Sequence, residues 1–375
     1  MSFPESTANQ TAVQRTPLQW AETACATLMK KFAPEDLPPV GRFHYHQGVF
    51  LLGMERCWRA TQDEKYLTYI KRWVDSLIRP DGSIVLYNSD ELDDIQPGVL
   101  LFNLYEQTGD ERYRKALDTL LAWLPVWKLN AEGGFWHKTR YPNQMWLDSL
   151  YMGGPIGIQY GATFGDRSYF ELLVRQALLI EKHTKDPKTG LFYHGWDQSK
   201  EAVWADPETG CAPEFWGRAM GWYPVAVLDM LDYLPTDHEN RTQLIAILED
   251  VIKAIFKFQD PASGLWYQVL DKGDRPDNWL ETSCSCLFVT AAAKAVRKGL
   301  LDPSYLTAAW KGYQGVIDRL GADETGGIII GDICIGTGIG DYPHYIARPR
   351  SENDLHGTGA FLFMCTEMAL AQPER

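Results

Sequence analysis

Apolar side chains recur at three- and four-residue spacing along most of the chain, which places them on one face of a helix. The pattern predicts helices over 17–32, 47–60, 63–79, 94–108, 111–125, 145–163, 167–184, 216–233, 238–258, 279–298, 303–320 and 356–371. Pro17 after Thr16 marks a first helical position. Asp166, Asp237 and Asp302 precede periodic runs as N-caps, and Gly321 follows one as a C-cap. The helices are of two kinds. The run from Asp63 to Trp73 is charged and amphipathic, whereas Met145 to Gly154 is apolar and rich in small residues. An outer ring facing water and an inner ring packed on all sides produce that contrast.

Between the pairs, a turn carrying glycine leads six times into a short aromatic or β-branched run. It occurs at Gly41, Gly82, Gly133-Gly134, Gly190, Gly264 and Gly326-Gly327. Each interval accommodates two helices and their connection. Twelve helices in six hairpins predict an all-α protein, an (α/α)6 six-hairpin barrel with the Gly-aromatic loops around a cleft. Unequal repeat lengths leave an open helical solenoid as the alternative. No low-complexity linker interrupts the pattern, so residues 17–375 are read as a single catalytic domain behind a flexible N-terminal tail, 1–16.

Composition adds a hint of substrate. Trp, Tyr and Phe make up 13% of the chain, and aromatic rings stack on the C–H faces of sugars, although large helical cores use them too. The net charge of −13 argues against a nucleic-acid partner and against an anionic membrane surface. It does not exclude a small anionic substrate met by local cations. The seven cysteines, Cys25, Cys57, Cys211, Cys284, Cys286, Cys334 and Cys365, are odd in number and form no CxxC. They read as reduced thiols. Residues 1–15 have no apolar signal core, and no run is long enough for a membrane span. A cytoplasmic protein is the expectation. His and Cys spacings match no zinc pattern, and no nucleotide or nucleophile-elbow motif occurs, so no metal and no cofactor are expected. Oligomeric state is not legible.

Polar groups capable of chemistry sit where loops run into inner helices. Asp148 lies in the first turn of an apolar helix, where the helix N-terminus favours a carboxylate. Asp93 and Asp94 open another, one of them as a cap and the other toward the cleft. If Asp93 converges with Asp148, like-charge repulsion raises one pKa and keeps a proton available. Arg218 stands between Trp216 and Trp222, suited either to a substrate carboxylate or to a structural cation–π pair. His137 with Lys138, and His194, each follow a Gly-aromatic loop, and Tyr45 begins the second helix.

At these motifs the chain resembles glycoside hydrolase family 105, the unsaturated rhamnogalacturonyl hydrolases. The matching pieces are Gly-Gly-Phe-Trp-His-Lys (133–138), Gln-Met-Trp-Leu-Asp-Ser-Leu-Tyr-Met (144–152), Phe-Trp-Gly-Arg-Ala-Met-Gly-Trp (215–222), Trp-Leu-Glu-Thr-Ser (279–283) and Asn-Asp-Leu-His-Gly-Thr-Gly-Ala-Phe (353–361). The resemblance implies an α/α six-hairpin barrel, Asp148 as general acid/base and Asp93 as second active-site carboxylate. It implies Tyr45, His137, Lys138, Trp146, Met152, His194, Trp216, Arg218 and Trp222 as substrate-binding positions. Ser149, and Ala219-Met220, depart from the residues common in relatives. The implied partner is an unsaturated uronyl oligosaccharide, and the implied reaction releases 4,5-unsaturated galacturonic acid from rhamnogalacturonan fragments by hydrating the C4=C5 vinyl ether. The alternatives are an unsaturated glucuronyl hydrolase on other lyase products, an α/α-barrel epimerase or lyase, and a non-catalytic sugar-binding protein.

Overall fold

The computed structural model describes residues 15–85 and 90–371. Among them are thirteen α-helices: α1 (Pro17–Lys31), α2 (Tyr45–Thr61), α3 (Glu64–Leu77), α4 (Val99–Thr108), α5 (Glu111–Leu121), α6 (Asp148–Phe164), α7 (Ser168–Thr184), α8 (Gly217–Leu231), α9 (Arg241–Phe256), α10 (Thr282–Arg297), α11 (Tyr305–Ile317), the short α12 (Tyr342–Ile346) and α13 (Leu355–Leu370). Three two-stranded antiparallel ribbons complete the secondary structure: β1 (Gln144–Trp146) with β2 (Gly195–Asp197), β3 (Gly321–Ala322) with β4 (Ile328–Ile329), and β5 (Ile333–Cys334) with β6 (Arg350–Ser351).

The inner helices α2, α4, α6, α8, α10 and α13 pack in that order, the turns before α4 bridging to α6, and α13 returns to α2. The ring therefore closes, and the open solenoid is excluded. Outer helices α1, α3, α5, α7, α9 and α11 lie against it. The two kinds of helix foreseen from polarity are these two rings. Thus α8 and α13 are buried nearly throughout, while α3 and α5 bury one stripe. No helix among the described residues is long and apolar enough to cross a membrane, and all seven cysteines are free and buried.

Helix boundaries follow local chemistry. Thr16 caps α1 through a reciprocal box with Gln19, with Pro17 in the first turn. Of the N-terminal tail read over 1–16, residues 1–14 lie outside the described residues, whereas Thr16 is part of this cap. The carboxylates of Asp166 and Asp302 accept the backbone N–H of Ser168 and Ser304, but neither is the N-cap: α7 and α11 start after Arg167 and Ser304, so the two acids close the preceding turns instead. Asp237 does not serve α9, which begins at Arg241 with Asn240 before it. Gly321 is no C-cap: α11 stops at Ile317 and Gly321 opens β3. Pro97 replaces the first turn of the fourth predicted helix by two 3-10 turns, Leu92–Asp94 and Gln96–Gly98, so α4 starts at Val99. Met145 and Trp146 belong to a strand, and α6 starts at Asp148.

All six loop glycines connect an outer helix to the next inner helix. At Gly41, Gly82, Gly133, Gly190, Gly264 and Gly326 the backbone is left-handed, with φ between 73° and 88°, a region costly for any residue with a Cβ. In five of these loops an Asx side chain (Asp81, Asn130, Asp186, Asp260 or Asp323) accepts backbone N–H groups within the turn. The loops consequently gather at one end of the barrel, at the N-termini of the inner helices. Connections at the opposite end are shorter, as with Gln62 and Asp63 between α2 and α3.

Ring closure depends on close backbone approach between α13 and α2. A Cβ on Gly359 would stand 2.6 Å from the carbonyl carbon of Val49, so the helices meet there with no room for a methyl group. Gly359→Ala is expected to cost about 1–3 kcal/mol in denaturant unfolding. An unchanged midpoint would show that the seam can relax around the methyl.

Candidate active site

The hollow at the loop end has a volume of about 250 Å³ and is walled by residues from five of the inner-helix N-termini and their loops. Its central carboxylate is Asp148, the first residue of α6 and 9% exposed. The short β1–β2 ribbon sets its surroundings. Trp146 pairs with Gly195, and the Leu147 N–H donates to the His194 carbonyl. Register thus brings the next side chain, Asp148, beside the His194 ring, whose Nε2 lies 3.2 Å from Asp148 Oδ2.

The tautomer of His194 follows from its other neighbour. Its Nδ1 is 2.7 Å from the Tyr345 hydroxyl, which itself accepts the Gly340 N–H. Burial holds the Tyr345 phenol well above its usual range, so it keeps its proton. Burial also pushes His194 below its ordinary value, with Asp148 pulling the other way, and the ring is neutral. A phenol that donates to Nδ1 leaves Nε2 carrying the hydrogen on the side of the carboxylate, 3.2 Å from Asp148 Oδ2 but off the line of a well-formed hydrogen bond. For Asp148 itself, burial works to raise the pKa. His194, His137 and Arg218 outweigh it, and the carboxyl sits below its ordinary range. The raised pKa anticipated for an Asp93–Asp148 pair is therefore not realised at Asp148. It appears instead at Asp94, pushed up to about 6 by burial and by Glu91, against His44 and Arg42.

Asp93 faces the same hollow. Its Oδ2 is 2.5 Å from Lys138 Nζ, and its Oδ1 is 3.6 Å from His137 Nε2. The His137 ring is driven down to about 4 by burial, with Asp93 opposing. It stacks on Trp146 at 4.4 Å between centroids and shares a 3.2 Å contact with the Ser149 hydroxyl. Ser149, a departure from the family pattern, thus orients a site histidine. Behind them Glu91 receives Arg42 at 2.8 Å, Lys138 at 2.7 Å and Arg140 at 3.2 Å. Burial opposes its ionisation, but these donors and His44 carry its pKa far below the usual range.

Most of the predicted positions converge. Tyr45, His137, Lys138, Trp146, Met152, Trp216 and Arg218 line the hollow with both acids. Two do not. His194 is fully buried behind Asp148, acting on the carboxylate and not on a ligand. Trp222 lies in the core, stacked on Tyr151 at 4.4 Å, because it sits on the same face of α8 as Arg218 but one helical turn, about 6 Å, further from the loop end. Arg218 is 1% exposed. Its guanidinium covers the Trp216 ring at 4.3 Å and donates to the carbonyls of Cys334 and Ile335. The structural cation–π pair is thus present, with the charge still at the wall. Sequence reasoning missed Glu91, Tyr345, Glu281 and Arg348. Glu281 caps α10, accepts the Cys334 N–H and lies 3.9 Å from Arg218. Arg348 spends one nitrogen on the Gly336 carbonyl and leaves Nε without a partner at the hollow. The Trp-Leu-Glu-Thr-Ser motif could have pointed to Glu281. Nothing local marks Arg348.

Two groups have the donor types for a metal ion: His46, Asp354 and His356, and His44, Glu91 and Asp93. In the second, Lys138 already bonds both carboxylates. In the first, His46 is held down to about 2 by burial and the neighbouring His356 and His44. The wall as a whole carries Lys138, Arg140, Arg218 and Arg348 against Asp93 and Asp148, four cations to two carboxylates. A protein of net charge −13 thus has a locally cationic hollow.

Six helical hairpins around a ring-walled, acid-bearing hollow define an (α/α)6-barrel enzyme that acts on sugars. The chain belongs to the glycoside hydrolase 88/105 family: the description Glycosyl Hydrolase Family 88 matches residues 20–372. A solved glycoside hydrolase of family 105 from C. acetobutylicum is 37% identical, with a TM-score of 0.89 over 93% of this chain and 99% of that one. The unsaturated rhamnogalacturonyl hydrolase YesR of Bacillus subtilis (strain 168) is 29% identical over 250 residues, 65% of this chain and 68% of that protein. The unsaturated 3S-rhamnoglycuronyl hydrolase of Formosa agariphila is 25% identical over 338 residues, 86% of this chain and 83% of that one. The chain is a glycoside hydrolase.

The Glu91 hub carries a pH signature. Its folded pKa lies below the ordinary 4.5, so its contribution to stability is complete above that value and is lost as pH falls. Glu91→Gln should cost about 3 kcal/mol near neutral pH, and the gap to the parent protein should close on acidification. A gap independent of pH, measured by urea unfolding, would mean that the hub is not held by ionic pairing.

Proposed function

We propose that the enzyme releases 4,5-unsaturated galacturonic acid from the non-reducing end of rhamnogalacturonan-derived oligosaccharides. Asp148 is the observation that carries this reading: a buried carboxyl at a cationic, ring-walled hollow, held by a histidine whose tautomer is set from behind. The names of the relatives from Bacillus subtilis and Formosa agariphila support an unsaturated uronyl substrate. The family resemblance supports the chemistry.

In that chemistry Asp148 delivers a proton to C4 of the vinyl ether, and the cation at C5 is stabilised by the ring oxygen. The Asp148 carboxylate then takes a proton from the water that adds at C5. The resulting C5 hemiketal opens: its hydroxyl loses a proton as the bond from C5 to the ring oxygen breaks, and the ring oxygen takes up a proton to become a hydroxyl on C1. That C1 hemiacetal then collapses, its hydroxyl losing a proton as the C1–O bond to the aglycone breaks and the aglycone oxygen gaining one. Asp148 regains its starting state, and one water is consumed. No second nucleophilic carboxylate is needed, so carboxylate separation does not report stereochemistry here. Asp93, bound to Lys138, holds the His137 edge of the pocket. Arg348 and Arg140 supply the charge for the uronate.

The free enzyme holds Asp148 as a carboxylate, so the acid must form on binding. A bound uronate brings a second negative charge and expels water. Both raise a carboxyl pKa, and Asp148 takes up a proton as the complex forms. Calorimetric titration in buffers of different ionisation enthalpy should show that uptake in the parent protein and none in Asp148→Asn. The variant should still bind, while turnover, followed by loss of the double-bond absorbance, falls by about 10²–10⁴-fold. Near-normal turnover in the variant would remove Asp148 from the mechanism.

A second reading, an unsaturated glucuronyl substrate, is compatible with the name of the Formosa agariphila protein, an unsaturated 3S-rhamnoglycuronyl hydrolase, which specifies a uronyl group without restricting it to galacturonate. Comparison of kcat/KM on unsaturated galacturonyl-rhamnose and unsaturated glucuronyl-rhamnose separates the two.

A further inference from the structure

At the opposite mouth of the barrel, where the inner helices end, lies a larger cavity of about 670 Å³. Its floor is apolar, with Leu52, Val99 and Ile156, and Met152 lines both this cavity and the hollow beside Asp148. The walls are polar in an uncommon way. Glu55, Asn103 and Tyr151 are 6%, 2% and 2% exposed, and each leaves a buried polar atom without a partner: Glu55 Oε2, Asn103 Nδ2 and the Tyr151 hydroxyl. Their other atoms show that this is not a general lack of contacts. Glu55 Oε1 accepts Arg59 at 2.9 Å, and Asn103 Oδ1 receives the same guanidinium at 3.4 Å. The Tyr151 ring is fixed by its stack on Trp222. Three immobilised side chains of the cavity wall thus hold one acceptor, one donor and one hydroxyl that no protein group satisfies.

The charged groups around them are tightly paired. Lys294 bridges Asp229 and Asp232, Arg56 meets Asp229 at 3.2 Å, and Arg297 meets Glu367. Counting Arg59 and Lys298 on the cationic side and Glu55 on the acidic side, five cations face four carboxylates, an excess of one positive charge. Burial also opposes ionisation of Glu55, which does nothing to reduce that excess.

We propose that this far cavity is a second binding site, for a small hydroxyl-rich molecule carrying one carboxylate. Hydroxyl groups both donate and accept, which is what an unpaired acceptor, donor and phenol side by side require. A single carboxylate balances the excess charge. The volume is in the range of small-molecule sites. Its occupant contacts Met152 and so touches the wall of the hydrolytic hollow without entering it. The site does not depend on which sugar is hydrolysed.

The probe is D-galacturonate, a pyranose with one carboxylate, with D-galactose as its neutral counterpart. Crystals of the full chain soaked in D-galacturonate should show it in the far cavity, bonded to Tyr151 and Asn103. Calorimetric affinity at that site should fall about tenfold or more, over 1.4 kcal/mol, in Tyr151→Phe and in Asn103→Leu. Gln159→Trp, which fills the cavity from a half-buried position, should abolish it, with thermal melting confirming that each variant is folded. Occupancy of the Asp148 hollow is seen separately in the same crystals. Only ordered water in the far cavity would overturn the proposal, as would unchanged affinity in both Tyr151→Phe and Asn103→Leu. Equal binding of D-galactose would overturn its carboxylate part.

Discussion

Left-handed glycines govern where this molecule can place chemistry. Each outer-to-inner connection has to reverse direction within a few residues and deliver the chain to an inner-helix N-terminus. The turn that does so needs positive φ at Gly41, Gly82, Gly133, Gly190, Gly264 and Gly326, which a side chain would penalise. Because all six lie on the same kind of connection, the residues that follow them share one end of the ring. Tyr45, Asp93, His137 with Asp148, and Trp216 with Arg218 are far apart in sequence and meet only because of this. Helix N-termini also carry partial positive charge, so the end that gathers the loops is the end that tolerates buried carboxylates. Asp148 opens α6, Glu281 caps α10 and Asp354 caps α13.

Within that frame the pairing of β1 with β2 is the decisive local event. A slip of one residue would turn Asp148 away from His194. The ribbon is held by Leu147 on the His194 carbonyl and by the continuing pairs out to Gln144 and Asp197. The Tyr345 hydroxyl, brought in by the short helix α12, then fixes the ring from the far side. Three segments distant in sequence thus determine one proton position. Depth explains why Trp222 is lost to the site: Arg218 stands in the first turn of α8, at the hollow, whereas Trp222, on the same face one turn on, is already among core side chains.

The periodic signals were legible because they are written many times over. Twelve predicted helices correspond to the twelve long helices, and polarity sorted them into rings. What periodicity could not carry was anything three residues long. Gln144–Trp146 reads as the start of a helix because an apolar triplet has no period to distinguish it. The two 3-10 turns before α4 were hidden for the same reason, although Pro97 argued for them. Among the site residues, those adjoining a repeated loop or a motif were found, including Asp148, Lys138 and Arg218. Those missed act through tertiary contact. Tyr345 meets His194 across 151 positions, and Glu91 becomes a hub only when Arg42, Lys138 and Arg140 converge on it.

The protonation of Asp148 shows why convergence alone does not make an acid. Two carboxyls facing one hollow would ordinarily push each other's pKa upward. Here Lys138 neutralises Asp93, and His194, His137 and Arg218 stabilise the Asp148 anion against burial. Asp148 is therefore held as a base, among cations that are mostly paired with the carboxylates behind the wall. An entering uronate spends those cations and adds its own charge next to a carboxylate from which water has been excluded. In the proposed mechanism, the term that converts Asp148 from base to acid is then the substrate's carboxylate. On this account a neutral sugar of the same shape leaves Asp148 ionised, and the negative charge of the uronate is a requirement of the proton transfer as well as a handle for recognition.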